Sequence, residues 1–418
     1  MTHKNPSAVA LGRFLAVIAG LIVLASCGGS NSTVIVTQPV TSGTNVAPLQ
    51  VNLGPTGNYV NGLFTTVEVC EPGSTSNCAS IPNVLVDTGS SGLRVLSSAL
   101  SSLSLASVTE SGNALQECIQ FVDLSYIWGP VVKADVHLAE EMASSAPIQI
   151  ISASSPYAVP SSCLTAGSNG ATPLNSLSAL GANGILGVSN FAQDCGPGCT
   201  SASNDIPNYY VCPNGSCQIA SVPLADQLPN PVALFPQDNN GVLISLPNVP
   251  STGALTATGS LIFGIGTQTN NALGSAQVYT VDSYADFTST YNGTQYPNSY
   301  IDSGSNVLYF LDSGTLGNIE CLDASGFYCP SGTLSFTVTN TGANGNSGQV
   351  TFNIANADAL FNTGNAAFND LGGDSGTDPS TDYVDFGIPF FFGRNVFTGI
   401  EGTTIPSGAT ATNGYWAY

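Results

Sequence analysis

A weak internal repeat constrains the fold of this 418-residue chain more than any other feature of its sequence. In the first half, an apolar run leads into Asp-Thr-Gly-Ser at 87–90, and Gly-Ile-Leu-Gly follows much later at 184–187. In the second half, Tyr-Ile leads into Asp-Ser-Gly-Ser at 302–305, and Asp-Phe-Gly follows at 385–387. The same order of elements in both halves predicts two related lobes whose connecting loops have diverged.

Each motif places a carboxylate at a tight turn directly after an apolar strand, where glycine permits close backbone approach. One such motif alone is most often a surface turn, but a pseudo-two-fold axis would bring Asp87 and Asp302 together. Like charges a few Å apart cannot both ionise easily, so this pair would share one proton. The ionised member could then take a proton from water while the protonated member donates to a scissile carbonyl.

Other catalytic chemistries have few residues available. Charged residues are 7% of the chain, against about 25% in typical proteins, and 26 acidic residues against 5 basic ones give a net charge of −21. This charge excludes nucleic acid as a partner. The histidines are His3 and His137, so no imidazole cluster can hold zinc, and Lys133 is a poor base for a serine hydrolase. Carboxylate chemistry without metal or cofactor is therefore predicted.

The two Asp motifs, the Gly-Ile-Leu-Gly element and the run Gly-Ser-Leu-Ile-Phe-Gly at 259–264 occur in an order that resembles the pepsin-like aspartic peptidases over most of residues 49–418. The resemblance implies a bilobal, mainly β fold with an interlobe cleft, and Asp87 and Asp302 as the catalytic pair. It also implies supporting roles for the residues around them, namely Thr88, Gly89, Ser90, Ser303, Gly304 and Ser305. Thr88 and Ser303 would interlock the two loops, while Ser90 and Ser305 would form hydrogen bonds with the outer oxygens of the aspartates.

The chain departs from the pepsin-like pattern at three places. The segment Ser-Tyr-Ile-Trp-Gly-Pro, 125–130, stands where a longer flap is usual, so Tyr126 and Trp128 are the candidates for the substrate cleft. Asn183 replaces an aspartate, and Asp385 stands where an apolar residue is usual. Over nearly its whole length the chain is more similar to a family of predicted bacterial lipoproteins that carry a domain of unknown function.

The N-terminus predicts export and a lipid anchor. Lys4 and Arg13 precede an apolar run at 14–24, which is too short to span a membrane, and Leu-Ala-Ser-Cys at 24–27 resembles a bacterial lipobox. A signal peptide at 1–26 would be removed, and an acyl chain on Cys27 would hold the protein to a bilayer. The alternative is an ordinary signal peptide with an incidental cysteine.

Ten further cysteines, an even number, suit an oxidising compartment. Short Gly- and Ser-containing spacers favour the pairs Cys70–Cys78 and Cys321–Cys329. Four cysteines between 195 and 217 indicate an insertion held together by disulfide bonds, with a zinc site as the alternative. The full predicted disulfide set is Cys70, Cys78, Cys118, Cys163, Cys195, Cys199, Cys212, Cys217, Cys321 and Cys329.

Glycine, proline and short apolar runs predict a mainly β chain, with helices expected only at Leu93–Leu105 and Pro223–Leu234. The predicted divisions are a linker at 27–48, an N-terminal lobe at 49–235 and a C-terminal lobe at 236–418.

The predicted function is a monomeric aspartic endopeptidase of the bacterial envelope, facing the periplasm or at the cell surface, that acts on peptides or unfolded proteins. The alternatives are an inactive protein of the same fold that binds a peptide or polysaccharide, and a structural envelope protein.

Overall fold

The computed structural model describes residues 35–37, 42–164, 171–201, 206–317, 319–375 and 383–418. Cys27 and the predicted signal peptide at 1–26 lie outside these ranges. Within them, no helix combines the length and the apolar character that crossing a bilayer requires.

Strands make up most of the regular structure. The first half contains β1 Ile35–Thr37, β2 Val46–Asn52, β3 Gly62–Cys70, β4 Cys78–Asp87, β5 Ser91–Leu96, β6 Thr109–Glu110, β7 Asn113–Gln120, β8 Tyr126–Leu138, β9 Glu141–Ile151, β10 Gly184–Val188, β11 Tyr209–Val211 and β12 Gln218–Ile219. Two of these strands, β1 and β2, lie wholly or partly within the segment predicted as a linker at 27–48.

The second half contains β13 Gly241–Ser245, β14 Thr256–Phe263, β15 Val278–Thr280, β16 Phe287–Tyr291, β17 Thr294–Ile301, β18 Leu308–Phe310, β19 Leu334–Thr341, β20 Ser347–Ile354, β21 Gly372–Gly373, β22 Val384–Phe386, β23 Asn395–Gly399, β24 Thr403–Thr404, β25 Thr410–Ala411 and β26 Tyr415–Ala417. The α-helices of the described residues are single turns, α1 Leu177–Leu180, α2 Ala357–Phe361 and α3 Ile388–Phe391.

One three-strand unit occurs twice and explains the sequence repeat. In the first half, β10 pairs in parallel with β4 and antiparallel with β5, so it lies between the strands before and after the first Asp motif. In the second half, β22 pairs in parallel with β17 and antiparallel with β18, around the second motif. The predicted fold class, a mainly β chain with two related pepsin-like lobes, is confirmed by this repeated topology.

The glycine of each apolar-Gly element follows from close packing against the Asp loop. A Cβ on Gly187 would lie 2.7 Å from the carbonyl oxygen of Ser90, and a Cβ on Gly387 would lie 2.6 Å from that of Ser305. Real Cβ atoms do not approach backbone so closely, so a larger residue would push the loop away from the strand.

Part of a 17-stranded sheet joins the two halves. In this part the strands follow the order β2, β14, β13, β23, β26 and β15, and neighbouring strands are antiparallel. The sheet therefore combines the start, the middle and the end of the chain. The largest apolar cluster contains side chains from both halves, which couples the packing of the lobes.

The predicted helix at Leu93–Leu105 is wrong. Residues up to Leu96 form β5, which is paired on both sides, by β10 and by β9, and only Ser97–Leu100 make a single 3-10 turn. Every residue of β5 is buried, so the apolar run reflects a central strand rather than a helix face. The second predicted helix, Pro223–Leu234, is limited to two 3-10 turns at Leu224–Asp226 and Pro231–Leu234.

All ten cysteines expected to pair do so. The predicted bonds Cys70–Cys78 and Cys321–Cys329 are confirmed. The four cysteines between 195 and 217 form two short-range disulfides, so the alternative of a zinc site at these residues is wrong. The remaining bond, Cys118–Cys163, ties β7 to the segment after β9.

Candidate active site

The two Asp motifs hold their carboxylates in the same way. The amide of Gly89 donates to Asp87 Oδ1 at 2.8 Å, and the Ser90 hydroxyl donates to Asp87 Oδ2 at 2.5 Å. In the second loop, the amide of Gly304 donates to Asp302 Oδ1 at 2.7 Å, and the hydroxyl oxygen of Ser305 lies 2.8 Å from Asp302 Oδ2. Each aspartate therefore has a fixed inner oxygen and a fixed outer oxygen.

Thr88 and Ser303 interlock the two loops, as the family resemblance implies. The amide of Thr88 donates to Ser303 Oγ at 3.0 Å, and the amide of Ser303 donates to Thr88 Oγ1 at 2.9 Å. Each hydroxyl also donates to a carbonyl of the opposite half, Thr88 to Ile301 and Ser303 to Val86. This symmetrical exchange fixes one loop against the other.

The interlocked loops bring Asp87 and Asp302 together. A Cβ on Gly304 would lie 2.7 Å from Asp87 Oδ1 and 3.1 Å from Asp302 Oδ1, so both inner oxygens flank the same point. Both aspartates are fully buried. Burial, followed by the charges of Asp87 and Asp385, raises the pKa of Asp302 well above its usual value, and a hydrogen bond with Asp87 adds to this effect. Such a pair holds one proton between two carboxyl groups.

The family comparison matches residues 41–418 to proteins of unknown function described as DUF3443. The chain belongs to the DUF3443 family. The kinship that the sequence indicates with proteins carrying a domain of unknown function is thereby confirmed.

Among solved structures, the chain is similar to an aspartic proteinase from Irpex lacteus. The identity is 13% and the TM-score is 0.46, with 89% of this chain and 96% of that chain covered. The comparison with curated proteins gives no match.

The site of this DUF3443 chain contains a third buried carboxylate, at a position where the pepsin-like pattern has an apolar residue. Asp385 lies on β22, and its Oδ2 lies 2.6 Å from the hydroxyl oxygen of Ser305, which also contacts Asp302. Burial raises the pKa of Asp385 well above its usual value, although the hydrogen bond from Ser305 opposes this. The sequence showed Asp385 only as a departure from an apolar pattern.

Tyr59, which the sequence did not single out, also belongs to the site of the DUF3443 chain. It is buried in the loop between β2 and β3, and burial raises its pKa, with further contributions from the charges of Asp302 and Asp87. The charge of Asp123, in the turn of the β7–β8 hairpin, contributes too. No local motif marks Tyr59, because its position depends on how three separate segments pack.

Tyr126 and Trp128, the predicted cleft residues, lie on β8 beyond the hairpin turn. Together with Tyr157 and Asn175 they line a surface cavity of about 150 Å³ whose lining includes neither of the paired aspartates. Trp128 donates to Ser155 Oγ and to the carbonyl of Tyr157, each at 3.2 Å. The structure therefore brings the two aromatic residues to one another and not to the aspartate pair.

Proposed function

We propose that this protein is an aspartic endopeptidase that hydrolyses peptides or unfolded proteins through Asp87 and Asp302. The observation that carries the proposal is the pair of interlocked loops, which hold two buried carboxyl groups around one point with their outer oxygens bonded to serine hydroxyls. A site that only stabilised the fold would gain nothing from two facing carboxylates, because unpaired buried charges are destabilising.

The chemistry follows from one proton on the pair. The ionised carboxylate takes a proton from a water molecule as the water oxygen attacks the substrate carbonyl carbon, and the protonated carboxyl donates to the carbonyl oxygen. The proton gained from water then passes to the amide nitrogen as the C–N bond breaks. The hydroxyl formed from the carbonyl oxygen returns its proton to Asp302 as the C=O bond reforms, which restores one proton to the pair. Because Asp302 has the raised pKa, we assign it as the protonated member.

A non-catalytic binding protein is the second candidate, since both aspartates are fully buried. Substrate reaches them only if a covering segment moves. The β7–β8 hairpin is the candidate segment, because the charge of Asp123 in its turn affects Tyr59 and also Tyr309 of the other half. If this hairpin does not open to a scissile bond, the fold would bind a peptide or polysaccharide, or serve as a structural envelope protein.

We expect the purified, disulfide-intact protein to cleave a peptide library, with its best activity on the acid side of neutral. The acid limb appears where both carboxyls are protonated, and the alkaline limb appears where the shared proton is lost. The raised pKa of Asp302 moves that alkaline limb to higher pH than an ordinary carboxyl would give. Digestion across about pH 3 to 8, the range in which carboxyl pairs titrate, with a transition-state-mimicking inhibitor as control, measures this. Retention of a peptide or glycan without cleavage at any pH would favour the binding protein.

We also propose that the protein is exported and held to the bacterial envelope by an acyl chain on Cys27, as a monomer. The five disulfides support an oxidising compartment. Cys27→Ser should release the protein from the membrane fraction, because no second anchor is identified in the sequence. Fractionation and labelling with a palmitate analogue measure the loss, and unchanged partitioning and labelling would contradict the anchor.

A further inference from the structure

The hydroxyl of Ser305 contacts two carboxyl groups at once. Its Oγ lies 2.8 Å from Asp302 Oδ2 and 2.6 Å from Asp385 Oδ2, and all three residues are fully buried. A hydroxyl has one hydrogen, so it can donate to only one of these oxygens. The other short contact is a hydrogen bond only if that carboxyl carries a proton and donates to Oγ. The geometry therefore requires at least one carboxyl proton between Asp302 and Asp385.

The first loop contains no such arrangement. The strand register places Ile185 opposite Leu85, just as it places Asp385 opposite Tyr300. Ile185 is a fully buried apolar side chain at the position that matches Asp385. The two halves of the site thus differ in one carboxyl group, and the extra carboxyl is on the side of Asp302.

The surroundings of Asp385 do not neutralise it. Among the described residues, the titratable groups that interact with it electrostatically are the two paired aspartates and two tyrosines, namely Asp87, Asp302, Tyr300 and Tyr309. Burial raises the pKa of Tyr300 and Tyr309, so these phenols are uncharged. Asp385 Oδ1 is buried and has no hydrogen-bond partner among the described residues. With no cation in this set, a proton is the one available means of lowering the negative charge.

We propose that Asp385 is a positioning residue that, through Ser305, extends the aspartate pair into a chain of three carboxyl groups and so keeps a proton on Asp302 to higher pH. Its catalytic consequence rests on the proposed peptidase function: hydrolysis would extend from acid pH towards neutral. Removing Asp385 removes one negative charge beside Asp302, so the shared proton of the pair would dissociate more easily. The alkaline limb of activity would then move to lower pH.

The first test compares pH profiles of kcat/KM for wild type, Asp385→Asn and Asp385→Ile. Asn keeps the size and can donate to Ser305 Oγ, while Ile reproduces the first half of the site. We expect both variants to lose the alkaline part of the profile by on the order of one pH unit while retaining activity at acid pH. Asp238→Asn is the control, because Asp238 is a buried carboxylate that accepts hydrogen bonds from Thr267 and Gln268 rather than from Ser305. This variant should leave the pH profile of kcat/KM unchanged. Superimposable profiles for wild type and Asp385→Asn would overturn the proposal.

A second readout does not require hydrolysis. Carbon-13 NMR of protein labelled at the aspartate carboxyls follows each titration, and the signal of Asp302 is the one lost in Asp302→Asn. In folded Asp385→Asn, the midpoint of that signal should fall by on the order of one pH unit. An unchanged midpoint would overturn the three-carboxyl chain even if peptides are cleaved. A lowered midpoint in a protein that cleaves nothing would support the chain while the peptidase function fails.

Discussion

Asp87→Asn and Asp302→Asn should each abolish peptide hydrolysis by a protein that still folds. Asparagine keeps the size of the side chain and can still accept from the Gly89 or Gly304 amide, so the interlocked loops should remain. What the amide cannot do is share a proton, and each variant therefore loses either the general base or the general acid. We expect kcat/KM to fall by about 10³-fold or more, in line with the loss of general acid–base catalysis.

The matched control is Asp282→Asn. Asp282 is an exposed residue whose carboxylate caps a turn by accepting from the amides of Tyr284 and Asp286, and asparagine can do the same. Its kcat/KM should stay within experimental error of wild type. Substantial hydrolysis by either Asp87→Asn or Asp302→Asn, with far-UV circular dichroism confirming the fold, would rule out the pair as the catalytic centre.

Arg94→Met should strongly destabilise the fold of the N-terminal half. Arg94 is a fully buried cation that pairs with Glu117 and lies 3.3 Å from Asp194, and it donates to the carbonyl of Ser91 at 2.8 Å. Burial raises the pKa of Glu117 well above its usual value, and the charge of Arg94 opposes this. Without the guanidinium, two carboxyl groups remain buried with no cation, which costs about 3–5 kcal/mol.

Urea unfolding followed by tryptophan fluorescence measures that cost, and Lys133→Met is the control. Lys133 Nζ lies 3.1 Å from Asp226 Oδ1, but both side chains are about one-third exposed, at 30% and 37%. Solvent screens this pair, so its loss should cost between about 0 and 1 kcal/mol. Equal changes in unfolding free energy for the two variants would show that the buried cation is not needed to balance Glu117 and Asp194.

The two halves of the candidate site could be predicted from the sequence because their signals are local and repeated. An apolar strand that ends in Asp-Thr/Ser-Gly-Ser specifies a tight turn, and a second copy specifies its partner across a pseudo-two-fold axis. The disulfides Cys70–Cys78 and Cys321–Cys329 were predictable for the same reason, since a short spacer brings the two ends of a hairpin together. Burial then follows from the apolar residues directly before each loop, which are 84–86 in β4 and Ile301 in β17.

Only the tertiary structure decided the features that depend on distant segments. Asp385 joins Asp302 because β22 pairs with β17, and no local pattern specifies the contact of Asp385 with Ser305, which lies 80 residues earlier in the chain. Tyr59 joins the site through the packing of three separate segments, and Tyr126 lines a surface cavity that contains neither of the paired aspartates. Residues 93–96 form a strand rather than a helix because partners on both sides satisfy their backbone groups, and such pairing overrides local propensity.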